Sequence, residues 1–397
     1  MRTSTRGAAA ILAAVAAIPA GLFLGTSAAS ASPHSPAHAA QYQVRVILNG
    51  ADLRHTFTPA GQKKSRTEAL SSPDDVAVLG HDIYTTFQNG VGPQGQPSPD
   101  GDTDSTIVEF TLSGHVVNQW DLRGKCDGIT ADTAEHLLVA TVNEDAHSSI
   151  YTITPGASPA RQVLHYRYDI PLPHNGGTDA ISIWDGRILL SASAPGTAGK
   201  PAPQPSYPAA YSVTFDKATL VATVEPLFYD EAEATVANTG KDDGKHVRLA
   251  LTDPDSNEDV PPSGPRFASD FMVTSQGDKE QIFYAPGGKL TVLRLTQSVD
   301  DTAWARSAHG QLVGANTAGS TIDEVTGPFP AGSIFVAVTP CDADNAPAAC
   351  PAPGFPPNYL GQLNPWTGVI TKVDVHGPAF GPQGMVFIGP GWNVMPG

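Results

Sequence analysis

After residue 31, no window of a dozen residues keeps apolar side chains at the i, i+3, i+4, i+7 spacing of a helix face without a Gly or Pro breaking it. Short runs rich in Val, Ile, Thr, Tyr and Phe recur instead, at 43–48 (QVRVIL), 105–112 (STIVEFTL), 136–142 (HLLVATV), 180–184 (AISIW), 187–193 (RILLSAS) and 333–339 (SIFVAVT). Such a chain has to bury itself as sheets. Its 39 glycines and 36 prolines in 397 residues fall short of low-complexity levels and serve as turn punctuation between strands. The predicted fold class is all-β, which leaves a sandwich, a barrel or a propeller.

An internal repeat decides among these. Six segments share a polar residue, then a small or apolar residue, then a short apolar strand: PDDVAV (73–78), CDGITA (126–131), TDAISI (178–183), SDFMVT (269–274), DDTAWA (300–305) and PQGMVF (382–387). The residues in register are Asp75, Asp127, Asp179, Asp270, Asp301 and Gln383. A polar turn and a second strand follow each of the first five, so each unit reads as a meander of up to four strands. The last unit has room for two strands at most, whereas 42–57 (YQVRVILNGADLRHTF) reads as an outer hairpin. Pairing the two would close a ring and hide its edge strands. In this pattern the chain resembles the six-bladed β-propellers of the NHL-repeat and gluconolactonase-like type. The expected organisation is an export signal at 1–31, a flexible segment at 32–41 and one propeller domain at 42–397. Its blades are expected at 73–122, 125–166, 178–226, 267–295, 300–374 and 379–397 plus 42–58, with 227–266 as a long inserted loop. A seven-bladed ring, with a degenerate blade in 227–266, is the alternative.

Composition and the N-terminus set the setting. The formal charge of -16 offers no basic stripe to replace the counterions of a phosphate backbone, so nucleic acid is not an expected partner. Arg2 and Arg6 precede an uncharged apolar run over 8–24 that ends in Ala29-Ser30-Ala31, the layout of a secretory signal with its cleavage site. Nothing after it is apolar for long enough to span a bilayer. The expectation is a secreted monomer. An oxidising compartment would let Cys341 and Cys350 close a loop worth about 2–3 kcal/mol, leaving Cys126 as a small buried hydrophobe.

In a propeller the inner strands start at one mouth of a central channel, so the six register residues should ring that mouth. Asn89, Asn143 with Glu144, and Asn316 at the ends of second strands, and Asn175 in the HNGGTD connection, should gather round it. Converging carboxylates repel one another unless a hard cation such as Ca²⁺ or another divalent ion relieves them. Gluconolactonase-like propellers hold a divalent metal there with Glu, Asn and Asp ligands; the resemblance implies Asp127, Asn143, Glu144 and Asp179. Two acidic runs place oxygens at alternate positions, as calcium loops do: Asp100, Asp102 and Asp104 in one, Asp253, Asp255, Asn257 and Asp259 in the other. His174 and His147 are the candidate general bases. G-x-G-x-x-G at 90–95 contains Pro93 and opens no helix, so no nucleotide cofactor is expected. No G-x-S-x-G, H-E-x-x-H or C-x-x-C occurs. These features suit a secreted binding or scaffold propeller whose loop-rich face takes a small molecule, wall polymer or protein; the alternative is a divalent-metal-dependent lactonase or other hydrolase.

Overall fold

A computed structural model describes residues 42–173, 176–193, 206–341 and 357–390. Six strands form the inner layer: Pro73–Leu79, Cys126–Asp132, Ile181–Trp184, Pro254–Asp259, Val299–Trp304 and Met385–Ile388. Each packs against the next in chain order, and the last packs against the first, which closes a ring. Antiparallel strands extend outward from each, as in Pro73–Leu79, Asp82–Phe87, Asp104–Phe110 and Val116–Arg123. The fold is a β-propeller, as the resemblance implied.

Burial follows from this layout. Second strands are covered on both faces by neighbouring sheets, so all six residues of Leu137–Val142 and all five of Ile334–Val338 are buried. That is why they read as unbroken apolar runs. Outer strands are covered on one face and alternate, as in Val116–Arg123 with Trp120 and Leu122 buried. The core is therefore six separate apolar layers, one between each pair of adjacent sheets. Cys126 lies fully buried in the layer between the first two sheets, where burial raises its thiol pKa well above the ordinary value. Cys350 lies outside the described residues, as do 1–41 with the expected export signal.

Closure differs from the expectation in one respect. Tyr42–Asn49 is the fourth strand, with Val375–His376 beyond it, of the sheet whose innermost strand is Met385–Ile388, but the two strands between them are Gln311–Asn316 and Thr321–Thr326. The chain leaves the fifth sheet after Val299–Trp304, supplies this hairpin to the closing sheet, and returns at Ile334–Val338. Arg54–Phe57 does not join the last sheet; it pairs with Arg66–Ala69 in a separate hairpin.

Residues 227–266 are neither a loop nor a further blade. Pro254–Asp259 is the inner strand of the fourth sheet, and Glu233–Val236 with His246–Arg248 extends that sheet's outer edge. Phe271–Ser275, taken from the sequence as an inner strand, is the second strand. Asp270 consequently sits in the turn between the two, donating its N–H to the Phe267 carbonyl and accepting from Val260 N at 3.0 Å. It is not a ring residue.

Candidate functional site at the channel mouth

The register that positions the site is set by a bulge. In four inner strands the pairing skips two residues, between Pro73 and Val76, Cys126 and Ile129, Pro254 and Asn257, and Val299 and Thr302. The extra residue re-aims side chains, as bulges do next to functional sites. The first skipped positions are Asp74, Asp127, Asp255 and Asp300. Asp179 and Gln383 take the same place in the other two sheets: their N–H groups donate to Ser191 O and Ala315 O of the second strands. All six line one cavity of about 1570 Å³. Three register assignments from the sequence are thus corrected, Asp75 to Asp74, Asp301 to Asp300 and Asp270 to Asp255.

Asp75 and Asp301 occupy the second skipped position and do different work. Asp75 accepts from Val76 N at 2.7 Å and from Ile129 N of the next inner strand at 2.8 Å. Asp301 accepts from Thr302 N at 2.6 Å and from Met385 N of the closing strand. Both carboxylates clamp one blade to another. Thr317 Oγ1 donates to Gln383 and to the Pro73 carbonyl, adding a link across the seam.

Around the ring the charges are dense. Lys125 Nζ lies 2.7 Å from Asp127 Oδ1 and also contacts Glu144 Oε1, and Gln88 Nε2 donates to Asp127 Oδ1 at 2.9 Å. Carboxylate oxygens of Asp127, Glu144 and Asp179 lie within 4.8 Å of one another. Asp127 is 3% exposed, and its Oδ2 has no hydrogen-bond partner. A hard-cation ligand set fits this arrangement, because three carboxylates lie within reach of one ion and one buried oxygen lacks a donor, with the Lys125 ammonium as the competing cation. Burial and then the Asp179 charge raise Asp255 well above the carboxylate range. Burial and then the Asp127 charge push both Asp74 and Asp179 well above the carboxylate range. Burial also lifts Asp127, against the pull of Lys125, to about 7.

Other expected residues take structural roles or lie elsewhere. Asn89 and Asn143 have left-handed backbones, and their amides hold turns: Asn89 Nδ2 donates to Asp104 O, Asn143 Nδ2 donates to His147 O, and Asn143 Oδ1 accepts from Lys125 N. Asn143 is thus drawn away from the carboxylate group. Asn316 lines the cavity and donates to Asp323 and to Ala379 O. His147 is exposed and does not line the cavity. His174 and Asn175 lie outside the described residues.

Neither acidic run wraps an ion as a loop. Asp253 to Asp259 enters an extended strand, where alternate residues share a face but stand about 7 Å apart. In the other run, Asp102 is fully buried and turns to His55, while Asp104 begins a strand and Asp100 is exposed. Residues missed from the sequence are Asp74, Lys125, Glu258 and Asp300, while Asp255 was expected only as a calcium-loop ligand. Lys125 carried a signal, a base directly preceding the register segment CDG.

Glu258 gives the site a pH signature. It lines the cavity with Asp301, and burial beside the Asp301 and Asp75 charges raises it well above the ordinary value. Burial lifts Asp301 to about 6 despite its backbone N–H donors. A carboxyl whose pKa is higher folded than unfolded stabilises the fold fully below about 3.9 and loses that contribution as pH rises through its folded pKa. The thermal midpoint should therefore fall by several degrees between pH 4.5 and 7. Calorimetry on the wild type and on Glu258→Gln tests this: the variant should show a flatter profile, and a wild-type midpoint that rises with pH would refute the account.

These features define a β-propeller with an acid-ringed channel mouth. No family model matches the sequence, and no curated protein matches it. Among solved structures, the chain is similar to a protein of unknown function from Bacteroides caccae, at 9% identity over 84% of this chain and 98% of that one, with a TM-score of 0.43. It is similar to the periplasmic gluconolactonase of Pseudomonas aeruginosa at 10% identity, over 87% and 99% of the two chains, with a TM-score of 0.42. A catalytically inactive virginiamycin B lyase from Staphylococcus aureus, solved with quinupristin, is 13% identical over 84% and 92%, with a TM-score of 0.37. No statement about this chain's chemistry follows from them.

Proposed function

We propose that the protein is a secreted binding propeller that takes a cationic ligand on the acid ring at its channel mouth. The observation carrying this reading is the convergence of Asp74, Asp127, Asp179, Asp255 and Asp300 with Glu144 on one cavity, with Lys125 placed among them. A cation entering the mouth takes the place of the protons that burial holds on these carboxyls, so its affinity rises with pH. The ligand class is a divalent ion such as Ca²⁺, or an ammonium group presented by a small molecule, wall polymer or protein. Asp127, Glu144 and Asp179 would hold the ion, which would supply a polarising charge to any oxygen brought beside it.

The same three carboxylates are what favour a lactonase or other hydrolase as the second reading. Titration calorimetry with Ca²⁺ and with spermidine, on the wild type and Asp179→Asn, separates the two when paired with a lactone and ester panel. Binding without turnover, weakened at least tenfold by the substitution, supports the binding propeller. Turnover abolished by chelation and by Asp179→Ala establishes the hydrolase. A wild-type protein that holds neither cation and turns over nothing defeats both.

A further inference from the structure

A second cluster lies away from the channel, where the hairpin of Arg54–Phe57 and Arg66–Ala69 meets the first sheet. His55 and Glu68 are directly opposed across the hairpin, and His55 Nε2 lies 3.4 Å from Glu68 Oε1. The loop before Asp104–Phe110 brings in Asp102, whose Oδ2 lies 3.2 Å from the same nitrogen. The three ligand atoms lie within 4.8 Å of one another. Asp102 is fully buried and His55 is 5% exposed, yet Asp102 Oδ2 has no hydrogen-bond partner. Its neighbour is an imidazole nitrogen in ion-pair range but outside hydrogen-bond geometry, and a desolvated carboxylate oxygen so poorly matched is costly.

The spacing is informative. Ligand atoms bonded at ~2.0–2.1 Å in a tetrahedron stand about 3.3 Å apart, and the two nitrogen–oxygen separations here are 3.2 and 3.4 Å. On the far side of the ring, Asp121 Oδ1 lies 3.5 Å from His55 Nδ1 and is itself held by Thr106 Oγ1 at 2.8 Å. A carboxylate behind a histidine is the usual device for fixing the ring of a metal ligand. Phe57, whose ring stacks 5.4 Å from the imidazole, limits its rotation.

We propose that His55, Glu68 and Asp102 form a site for a divalent transition-metal ion of the Zn²⁺ type, with Asp121 orienting the imidazole. One nitrogen and two carboxylate oxygens suit such an ion better than Ca²⁺, which takes oxygen ligands. Metal entry displaces a proton from the ring, as binding to imidazole requires. The ion would staple the hairpin to the first sheet beside the seam where the ring closes.

The experiment is zinc titration of the metal-stripped full chain at pH 7.5, with cobalt as a spectroscopic probe. With excess Ca²⁺ present to fill the channel carboxylates, expected are one equivalent of Zn²⁺, a visible Co²⁺ band of tetrahedral intensity, and a higher thermal midpoint with zinc. Glu135→Gln, on the exposed surface, should leave all three unchanged. His55→Gln should weaken zinc at least 100-fold and remove the band. Glu68→Gln, at the half-buried rim, serves if the His55 variant does not fold, and should weaken zinc at least tenfold. The proposal is overturned if the wild type takes up no zinc, if zinc binds equally to the wild type and a folded His55 or Glu68 variant, or if Asp179→Asn alone removes it.

Discussion

Gly384→Ala should cost about 3 kcal/mol, the upper end of what overpacking a tight contact costs, and lower the thermal midpoint by several degrees. A Cβ on Gly384 would stand 2.5 Å from Asp75 Cα and 2.6 Å from the Asp74 carbonyl oxygen. Both are backbone neighbours in the first inner strand, so neither can swing aside. The displaced strand would also lose the 2.7 Å bond from Gly384 N to Asp74 O, which ties the last inner strand to the first. Gly389→Ala is the control, because a Cβ there meets nothing within 4 Å. Calorimetry on the two variants decides the matter. Equal midpoints would show that the seam is not tightly packed.

Lys125→Met is expected to be comparably damaging at neutral pH. The ammonium is the neighbour of Asp127 and Glu144, and it also lowers the pKa of Asp74. Burial disfavours its charge, but the surrounding carboxylates outweigh burial and hold Lys125 well above its usual pKa. Removing one partner of a buried pair costs about 3–5 kcal/mol, since the remaining charge has no compensation. The midpoint should drop most at pH 8 and least at pH 5, where protonation of the carboxyls relieves the repulsion. Lys125→Met with Asp127→Asn should recover most of the loss. A single variant as stable as the wild type at pH 8 would show that the acids are already neutralised by protons.

Much of the architecture was legible because the repeat is dictated by the fold. The position two residues before the first regular pair of each inner strand faces the channel and suits a small or polar residue, with a bulge there in four of the six. That preference appears in the sequence as Asp127 and Asp179. At 74–75 and 300–301 two aspartates stand together, and pattern alone does not say which one turns inward and which one clamps the next blade. The bulge does. The fourth inner strand escaped because Pro254–Asp259 carries no large apolar residue. One of its sides faces water in the channel, and Ser256 uses its hydroxyl to reach the Asp300 carbonyl of the next inner strand. The apolar segment following Asp270 looked more like a strand beginning because, as a second strand, it is buried on both faces. The pairing of His55 with Asp102 depends on a docked hairpin that leaves no spacing rule in the chain.

The hairpin of Gln311–Asn316 and Thr321–Thr326 sits between a strand from near residue 45 and one from near residue 386. Arg45 meets Glu324 across 279 positions of chain. Contacts of such separation form late, because loop-closure entropy has to be overcome before they reward the chain. The closing sheet therefore tests for length. A chain cut before its final strand would leave one edge of Gln311–Asn316 unpaired and its apolar layer open, so the penalty for truncation falls on the sheet that closes the ring.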